Sequence, residues 1–295
     1  MVRLATRGSA LALAQARLVA GLLDDEVELV EVRTSGDARR AVGDKSRWVK
    51  EIEEALLDGR ADLAVHSAKD VPGVLPHGLA IVGVPARADA RDALCGAGAS
   101  LDDLPDGAIV GTSARRRRAQ LLALRPDLDV RDLRGNVDTR LRKLAEGEFD
   151  AIVLAVAGLT RLGRAGEGTP VDIELLTPAP GQGCLALEAR ADDERMRDLA
   201  GAVSDQAALT AFTAERALVD ALEATCDTPV GAHAELLDGG EGLRVSAFAG
   251  LPDGSTWVRD AVEGGAADPA ALGREVAGRM LAAGAAEVLA ATATA

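Results

Sequence analysis

The sequence predicts an α/β chain of two related lobes around a cleft, followed by a small α+β domain. Three features carry this reading. Short apolar runs alternate with amphipathic stretches from the start, the alternation begins again near residue 107, and three strand-like runs with a helix follow Cys226. At 295 residues the chain can hold two or three separate cores. We place the first lobe at 1–86 with 184–202, the second at 90–178, and the third domain at 207–295.

In order, "VRLATR" reads as a strand and Ser9 caps a helix running to about Leu23. "VELVEVRT" is a strand, Trp48 to Leu57 has a helical period, and "ADLAVHS" and "LAIVGVP" are further strands. The second lobe opens with the strand "GAIVGT", a helix from Ser113 to Leu124 and the strand "DVRDLR". A helix from Asn136 to Ala145 and the strand "DAIVLAV" follow. "LTPAPGQGCLALEAR" combines turn formers with an apolar strand, so it reads as a return to the first lobe. A helix over 207–223 leads to "VGAHAELL", "LRVSAFA" and "STWVRDAV", and a final helix covers Pro269 to Ala283.

Composition narrows the classes. Apolar residues at 48% and charged residues at 27% belong to a folded soluble chain. The opening "MVRLATRGSALALAQ" has no long apolar stretch, and no run of about eighteen apolar residues occurs. A cytoplasmic protein that is not membrane-bound is therefore expected; composition does not bear on oligomeric state, for which the expectation is a monomer. A net charge of −14 argues against nucleic acid or anionic lipid as a partner. Three cysteines and three histidines lie scattered, without metal-ligand spacing. Cys95 and Cys184 sit in or beside apolar segments, whereas Cys226 lies in a polar turn. Of 33 lysines and arginines, only Lys45, Lys50, Lys69 and Lys143 are lysines. GC-rich codon usage and adaptation to high salt both account for that bias.

The stretch "VHSAKDVP" starts as a buried strand and then sets His66, Ser67, Lys69 and Asp70 ahead of a proline. Strand ends that open into loops are where α/β proteins hold ligands. Alone, the Lys–Asp pair reads as a weak surface ion pair. The arginines change that. In "GTSARRRRAQLLAL", Thr112 and Ser113 follow a strand and can cap a helix whose free amides favour an anion. At roughly 100° per residue the arginines fan around that helix. Leu121, Leu122 and Leu124 put Arg117 and Arg118 nearest the inner face, leaving Arg115 and Arg116 at the end or in solvent. "LRGNVDTRLRKL" repeats the form, with Arg134 and Arg140 beside an Asn136 cap. Arg7 precedes the Ser9 cap, and Arg161 follows "AIVLAV". Arginine forks meet carboxylates and phosphates at two points, so a cleft for a polyanion is expected. "GQGCLA" is like a dinucleotide fingerprint but leads into a strand, and there is no P-loop, so no nucleotide is expected.

The stretches "ATRGSALALAQA", "VKEIEEALLDGRADLAVHSAKDVP", "IVGTSARRRRAQL", "LRGNVDTRLRKL", "DAIVLAVAGLTRLG", "PGQGCLALEAR" and "TAERAL" with "CDTPVGAHAEL" follow one another as in the porphobilinogen deaminase (hydroxymethylbilane synthase) family. The chain resembles that family from residue 2 to near its C-terminus. The resemblance implies two type II periplasmic-binding-protein-like lobes around a cleft, and a third domain with a cysteine on a loop. It implies one dipyrromethane cofactor per chain, made from the enzyme's own substrate and held as a thioether. Four porphobilinogen units are then joined head to tail with loss of ammonia, and hydrolysis releases the linear tetrapyrrole. The implied partners are porphobilinogen and the growing oligopyrrole chain.

By position in those motifs, the resemblance makes Asp70 the catalytic acid and Cys226 the attachment point. Ser67, Lys69, Thr112, Ser113, Arg116, Arg117, Arg134, Arg140 and Lys45 fall on cofactor positions, and Arg7, Ser9, Arg161 and Gln182 on substrate positions. The family pattern favours Arg116 where the helical wheel favours Arg118. Ala114 stands where bacterial members usually have serine, and Thr225 where glycine is common. Trp48 replaces a frequent phenylalanine, in a short Asp37–Trp48 segment that resembles a mobile lid. A two-lobed solute-binding protein for a small dicarboxylate would suit the lobes and arginines, but it calls for an export signal and leaves Cys226 without a role.

Overall fold

The computed structural model describes residues 1–34, 49–96, 98, 100–225 and 228–293. Its first sheet has strand order β2-β1-β3-β10-β4, from β1 (Val2–Arg7), β2 (Val27–Val32), β3 (Leu63–Ser67), β4 (Leu79–Gly83) and β10 (Leu185–Arg190). β1 runs parallel to β2 and β3, whereas β10 is antiparallel to both β3 and β4. Helices cover both faces, as a largely parallel sheet requires. Leu4, Val65 and Leu187 pack with Ala16 and Val19 of α1 (Ala10–Ala20) and with Met196 and Ala200 of α6 (Glu194–Ala202). Ala5 and Ala64, on the opposite face, pack with Ile52, Ala55 and Leu56 of α2 (Lys50–Leu57). Ser9 caps α1 as expected, its Oγ accepting from the Ala12 amide at 3.3 Å.

The second sheet repeats the order as β7-β6-β8-β5-β9, from β5 (Asp92–Gly96), β6 (Ile109–Gly111), β7 (Asp129–Arg131), β8 (Ala151–Ala155) and β9 (Thr169–Pro170). β6 is parallel to β7 and β8, and β5 is antiparallel to β8 and β9. Here α3 (Arg115–Leu124) covers one face through Leu121. Leu141 of α4 (Val137–Ala145) and Leu159 of α5 (Val156–Arg161) cover the other. Each sheet is completed by an antiparallel strand that lies next to a crossing between lobes: β5 follows the outward path (84–91) and β10 the return (171–184). The "GQG" turn belongs to that return. Gly183 has φ +91°, and a Cβ there would lie 2.3 Å from the Ala88 carbonyl oxygen, so the two crossings meet at a position open only to glycine.

The third core lies under the antiparallel sheet β11-β12-β13 (Val230–Leu237, Gly242–Gly250, Trp257–Gly265). It is closed by α7 (Gln206–Ala221) and α8 (Pro269–Ala282), which approach so closely that a Cβ on Gly273 would sit 2.2 Å from the Ala214 oxygen. The helix expected to be last is followed by α9 (Ala285–Ala293), whose alanine-rich sequence gives little apolar period. β5, α5 and α6 are also additions to the sequence reading. α5 has six residues and α6 only nine, four of them charged, so their periodic signal is weak.

Candidate active site

Of the expected site residues, Lys69, Gln182, Arg116 and Arg117 are joined through Asp92 beside the two crossings. β3 ends at Ser67, and Ala68–Asp70 forms a 3-10 turn that sets Lys69 and Asp70, both half-buried, at its end. Two bonds fix this turn: Gln15 Nε2 of α1 donates to Ser67 Oγ at 2.9 Å, and the Ala68 amide donates to the Cys184 oxygen at 3.1 Å. Lys69 Nζ donates to Gln182 Oε1 at 3.2 Å. Gln182, only 1% exposed, passes the connection on, since its Nε2 donates to the Ala90 oxygen (2.8 Å) and to Asp92 Oδ1 (2.7 Å).

Asp92 is the residue that sequence reasoning missed, and it organises the site. Fully buried at the start of β5, its carboxylate meets Arg116 at 2.8 Å on Oδ2 and Arg117 at 2.8 Å and 3.1 Å on Oδ1. Burial would push its pKa up. Arg116 and Arg117, with the hydrogen bonds from Arg117 and Gln182, more than reverse that and hold the carboxyl ionised well below the usual carboxylate range. The remaining guanidinium donors reach the Thr177 oxygen from Arg116 (2.6 Å) and the Val153 oxygen from Arg117 (2.7 Å). Two buried guanidiniums thus share one carboxylate. The surplus positive charge makes the region attractive to anions.

The helical-wheel expectation for α3 needs correction. Arg116 and Arg117 are the buried pair, Arg118 is half-buried and donates to the Val130 oxygen, and Leu124 is 40% exposed. The apolar stripe misled because the helix also buries a polar side, on which Arg116 and Gln120 meet Thr177. Thr112 is buried and its Oγ1 accepts from the Ala114 amide at 3.2 Å, while Ser113 is exposed. The N-cap is Ala114, without a side-chain bond.

Arg140 on α4 donates through Nε to the Gly135 oxygen at 2.8 Å. Desolvation and the nearby Arg117 charge push its pKa down to about 10, while Asp70 pulls it up. Asp70 of the first lobe is thus a negative charge felt by Arg140 of the second. Arg161, at the end of α5, donates Nη2 to the Gly183 oxygen at 2.7 Å, and its buried Nε has no hydrogen-bond partner among the described residues. Burial lowers its pKa. Arg134 lies outside this group: it is exposed and pairs with Asp132 at 3.2 Å. Arg7 is half-buried at the end of β1, beside Ser9. Lys45, Cys226 and the Asp37–Trp48 segment lie outside the described residues. Cys95 and Cys184 are core thiols, as expected, with burial pushing their pKa values up to about 11 and about 12.

Two five-stranded sheets of the same order, linked beside the crossings through Gln182 to Asp92 and its two buried arginines, define a two-lobed α/β protein. Two family models match, "Porphobilinogen deaminase, dipyromethane cofactor binding domain" over residues 2–198 and "Porphobilinogen deaminase, C-terminal domain" over residues 209–282. A porphobilinogen deaminase of Deinococcus radiodurans is 46% identical, with 98% of this chain and 97% of the relative covered. One of Roseiflexus sp. (strain RS-1) is 49% identical over 94% of each. Among solved structures, the periplasmic VFT2 domain of Bordetella pertussis BvgS is 20% identical, with a TM-score of 0.39 over 68% of this chain and 86% of that chain. The chain belongs to the porphobilinogen deaminase family. It is a transferase of tetrapyrrole biosynthesis with a dipyrromethane cofactor-binding domain.

Proposed function

We propose that the chain condenses porphobilinogen units head to tail at the Asp70 turn, on a dipyrromethane held by Cys226, and releases linear hydroxymethylbilane by hydrolysis. The observation that supports it most is the joining of Lys69, Gln182, Asp92, Arg116 and Arg117 in one hydrogen-bonded series, ending beside an Asp70 that senses Arg140. The cofactor's acetate and propionate groups suit this donor set, because desolvated Arg140 and the unpartnered Nε of Arg161 gain from a carboxylate. When bound, the dipyrromethane supplies the free pyrrole carbon from which the chain is extended. Lys69 and Arg140 are the groups to hold its carboxylates, with Arg116 and Arg117, bound to Asp92, supplying positive charge behind them, and Arg7, Ser9 and Arg161 those of the incoming substrate.

Asp70 performs the proton work. Its carboxyl gives a proton to the amine of porphobilinogen as the carbon–nitrogen bond breaks, the bonding electrons leaving with ammonia. As a carboxylate it then faces the pyrrole N–H of the resulting cation and stabilises it until a new carbon–carbon bond forms. After coupling, the proton displaced from the attacked carbon can return to Asp70 and restore the acid. Lys69 adds positive charge beside the acid, its ammonium donating to Gln182.

The working unit in this reading is a single cytoplasmic chain of three domains, 1–86 with 184–202, 90–178 and 207–295. Among the described residues no helix is long and apolar enough to cross a membrane. Peptide mapping of purified protein tests the cofactor assignment. It should find one dipyrromethane on Cys226, with Cys95 and Cys184 unmodified and alkylated only after unfolding. A fully active preparation with an unmodified Cys226 would falsify it.

A further inference from the structure

Behind the Asp70 turn lies a buried group of titratable side chains that the chemistry above does not use. His66 follows Ala64 on the face of β3 covered by α2, and Glu188 lies on the same face of β10, diagonal to it in the register Ala186↔His66. His66 Nε2 is 2.9 Å from Glu188 Oε2, with the side chains 4% and 1% exposed, close enough to pair but out of line for a hydrogen bond. Glu53 of α2 is 7% exposed, and its Oε1 and Glu188 Oε1 have no hydrogen-bond partner among the described residues. Two carboxyls and one imidazole are thus buried together. With both carboxyls ionised, the imidazole can balance only one of them, and the uncompensated charge is costly away from water.

Among the described residues the surroundings supply no other counter-charge. On α2 itself, Lys50 is paired to Glu54, and Glu51 adds a further negative charge. β1 brings Arg3, bound to Asp62, and Arg7 at its far end; β2 brings Glu28 and Glu31; β4 brings no charged residue. Arg190 of β10 is occupied by the Leu56 and Ala61 oxygens and by Asp193. Burial first, then Glu188, push the Glu53 carboxyl up to about 7, with His66 opposing and Glu54 adding to the rise.

We propose that Glu53 carries a proton where it is buried beside the His66–Glu188 pair, and that this cluster positions the Ser67–Asp70 turn from behind. With the proton in place, α2 seats on the sheet and the end of β3 is held. When the proton is lost, like charges face each other under α2 and the turn loses its support, so Asp70 is presented less well. The effect on the reaction rests on the role given to Asp70 above.

The sign is fixed by linkage. The folded protein keeps a proton on Glu53 up to about pH 7, against 4.5 for an ordinary glutamate, so the native state binds more protons in that window. Stability falls as pH rises through the window and levels above it. Melting temperature and kcat, measured from about pH 5 to about pH 8, test the proposal on wild type and Glu53→Gln. The amide mimics the protonated carboxyl, so the variant should lose at least half of the wild-type decline in melting temperature and most of the alkaline fall in kcat. Parallel curves for the two proteins in both measurements would overturn the proposal. Should the variant not fold, infrared spectra of wild type with labelled glutamate decide: a protonated buried carboxyl near neutral pH that disappears on alkalisation supports the cluster, and its absence rejects it. A flattened melting curve in a protein that makes no tetrapyrrole supports the cluster and counts against the functional reading instead.

Discussion

Asp70 and Arg140 define the cleft at the smallest scale, and their coupling makes a specific demand on each. Arg140 is half-buried, and Asp70 is the charge that opposes the fall in its pKa. Asp70→Asn keeps the size of the side chain while removing both the proton and the negative charge. Arg140 should remain charged at neutral pH, so the variant should fold and bind porphobilinogen. Its turnover should fall below about a tenth of wild type, tenfold being about 1.4 kcal/mol in the barrier. Single-turnover kinetics with bound substrate measured separately checks this, and a variant with more activity would remove Asp70 as the acid. Asp92 explains why Arg116 and Arg117 can be buried at all. A buried guanidinium without its carboxylate is destabilising by about 3–5 kcal/mol, and here one carboxylate serves both.

At the level of elements, the sequence carried most of the strand and helix order because its signals are local. "VRLATR" is β1 residue for residue, and the Ser9 and Asn136 caps each accept the bond expected of them. What could not be read is what depends on residues far apart in the chain. Nothing around "RDALCG" marks Asp92 as the partner of arginines about two dozen positions later, or of Gln182 on the return crossing. Lys69 and Asp70 were legible through their motif, while Gln15, Asp92 and the His66 cluster become visible only when the strands are paired. The arginine run misled because a wheel built on leucines cannot see a buried polar face. The meeting of the crossings is testable at Gly183. Gly183→Ala combines a left-handed backbone with a Cβ 2.3 Å from the Ala88 oxygen, so it should cost more than about 3 kcal/mol. Gly147→Ala has φ +76° but nothing within 4 Å, and should cost about 1 kcal/mol. Urea unfolding of the two variants checks the difference, and equal losses would mean that the crossings yield easily.

For the whole molecule the dominant quantity is charge. The cleft gathers cations, yet the chain carries 47 acidic residues against 33 basic ones. Many surface arginines are already matched by an aspartate two positions away, as in Asp89–Arg91, Arg125–Asp127 and Asp129–Arg131. Exposed pairs of this kind contribute about 0–1 kcal/mol each, so the acidic excess still repels itself in dilute buffer. At molar salt the screening length falls to about 3 Å, which removes that repulsion and leaves the buried pairs of Asp92 with Arg116 and of Glu215 with Arg87 (2.6 Å) largely intact. If the composition is an adaptation to salt, the melting temperature should rise steadily from dilute buffer to about 1 M potassium chloride. A flat or falling midpoint assigns the scarcity of lysine to codon usage.

The insertion of β10 between β3 and β4 also bears on how the chain is made. Among the described residues β4 pairs with no strand except β10, so the first sheet cannot close when its first four strands leave the ribosome. About a hundred further residues must be translated before residue 185 emerges, which at about 10 residues per second is a delay of about ten seconds. Meanwhile β3 has an open edge, and the second lobe, whose strands all lie between residues 92 and 170, can finish first. The N-terminal lobe is thus the later one to mature, and the Asp70 turn is completed only when the return crossing docks against it. A nascent chain stalled before residue 185 should therefore protect the second lobe from protease while leaving the first open to cleavage.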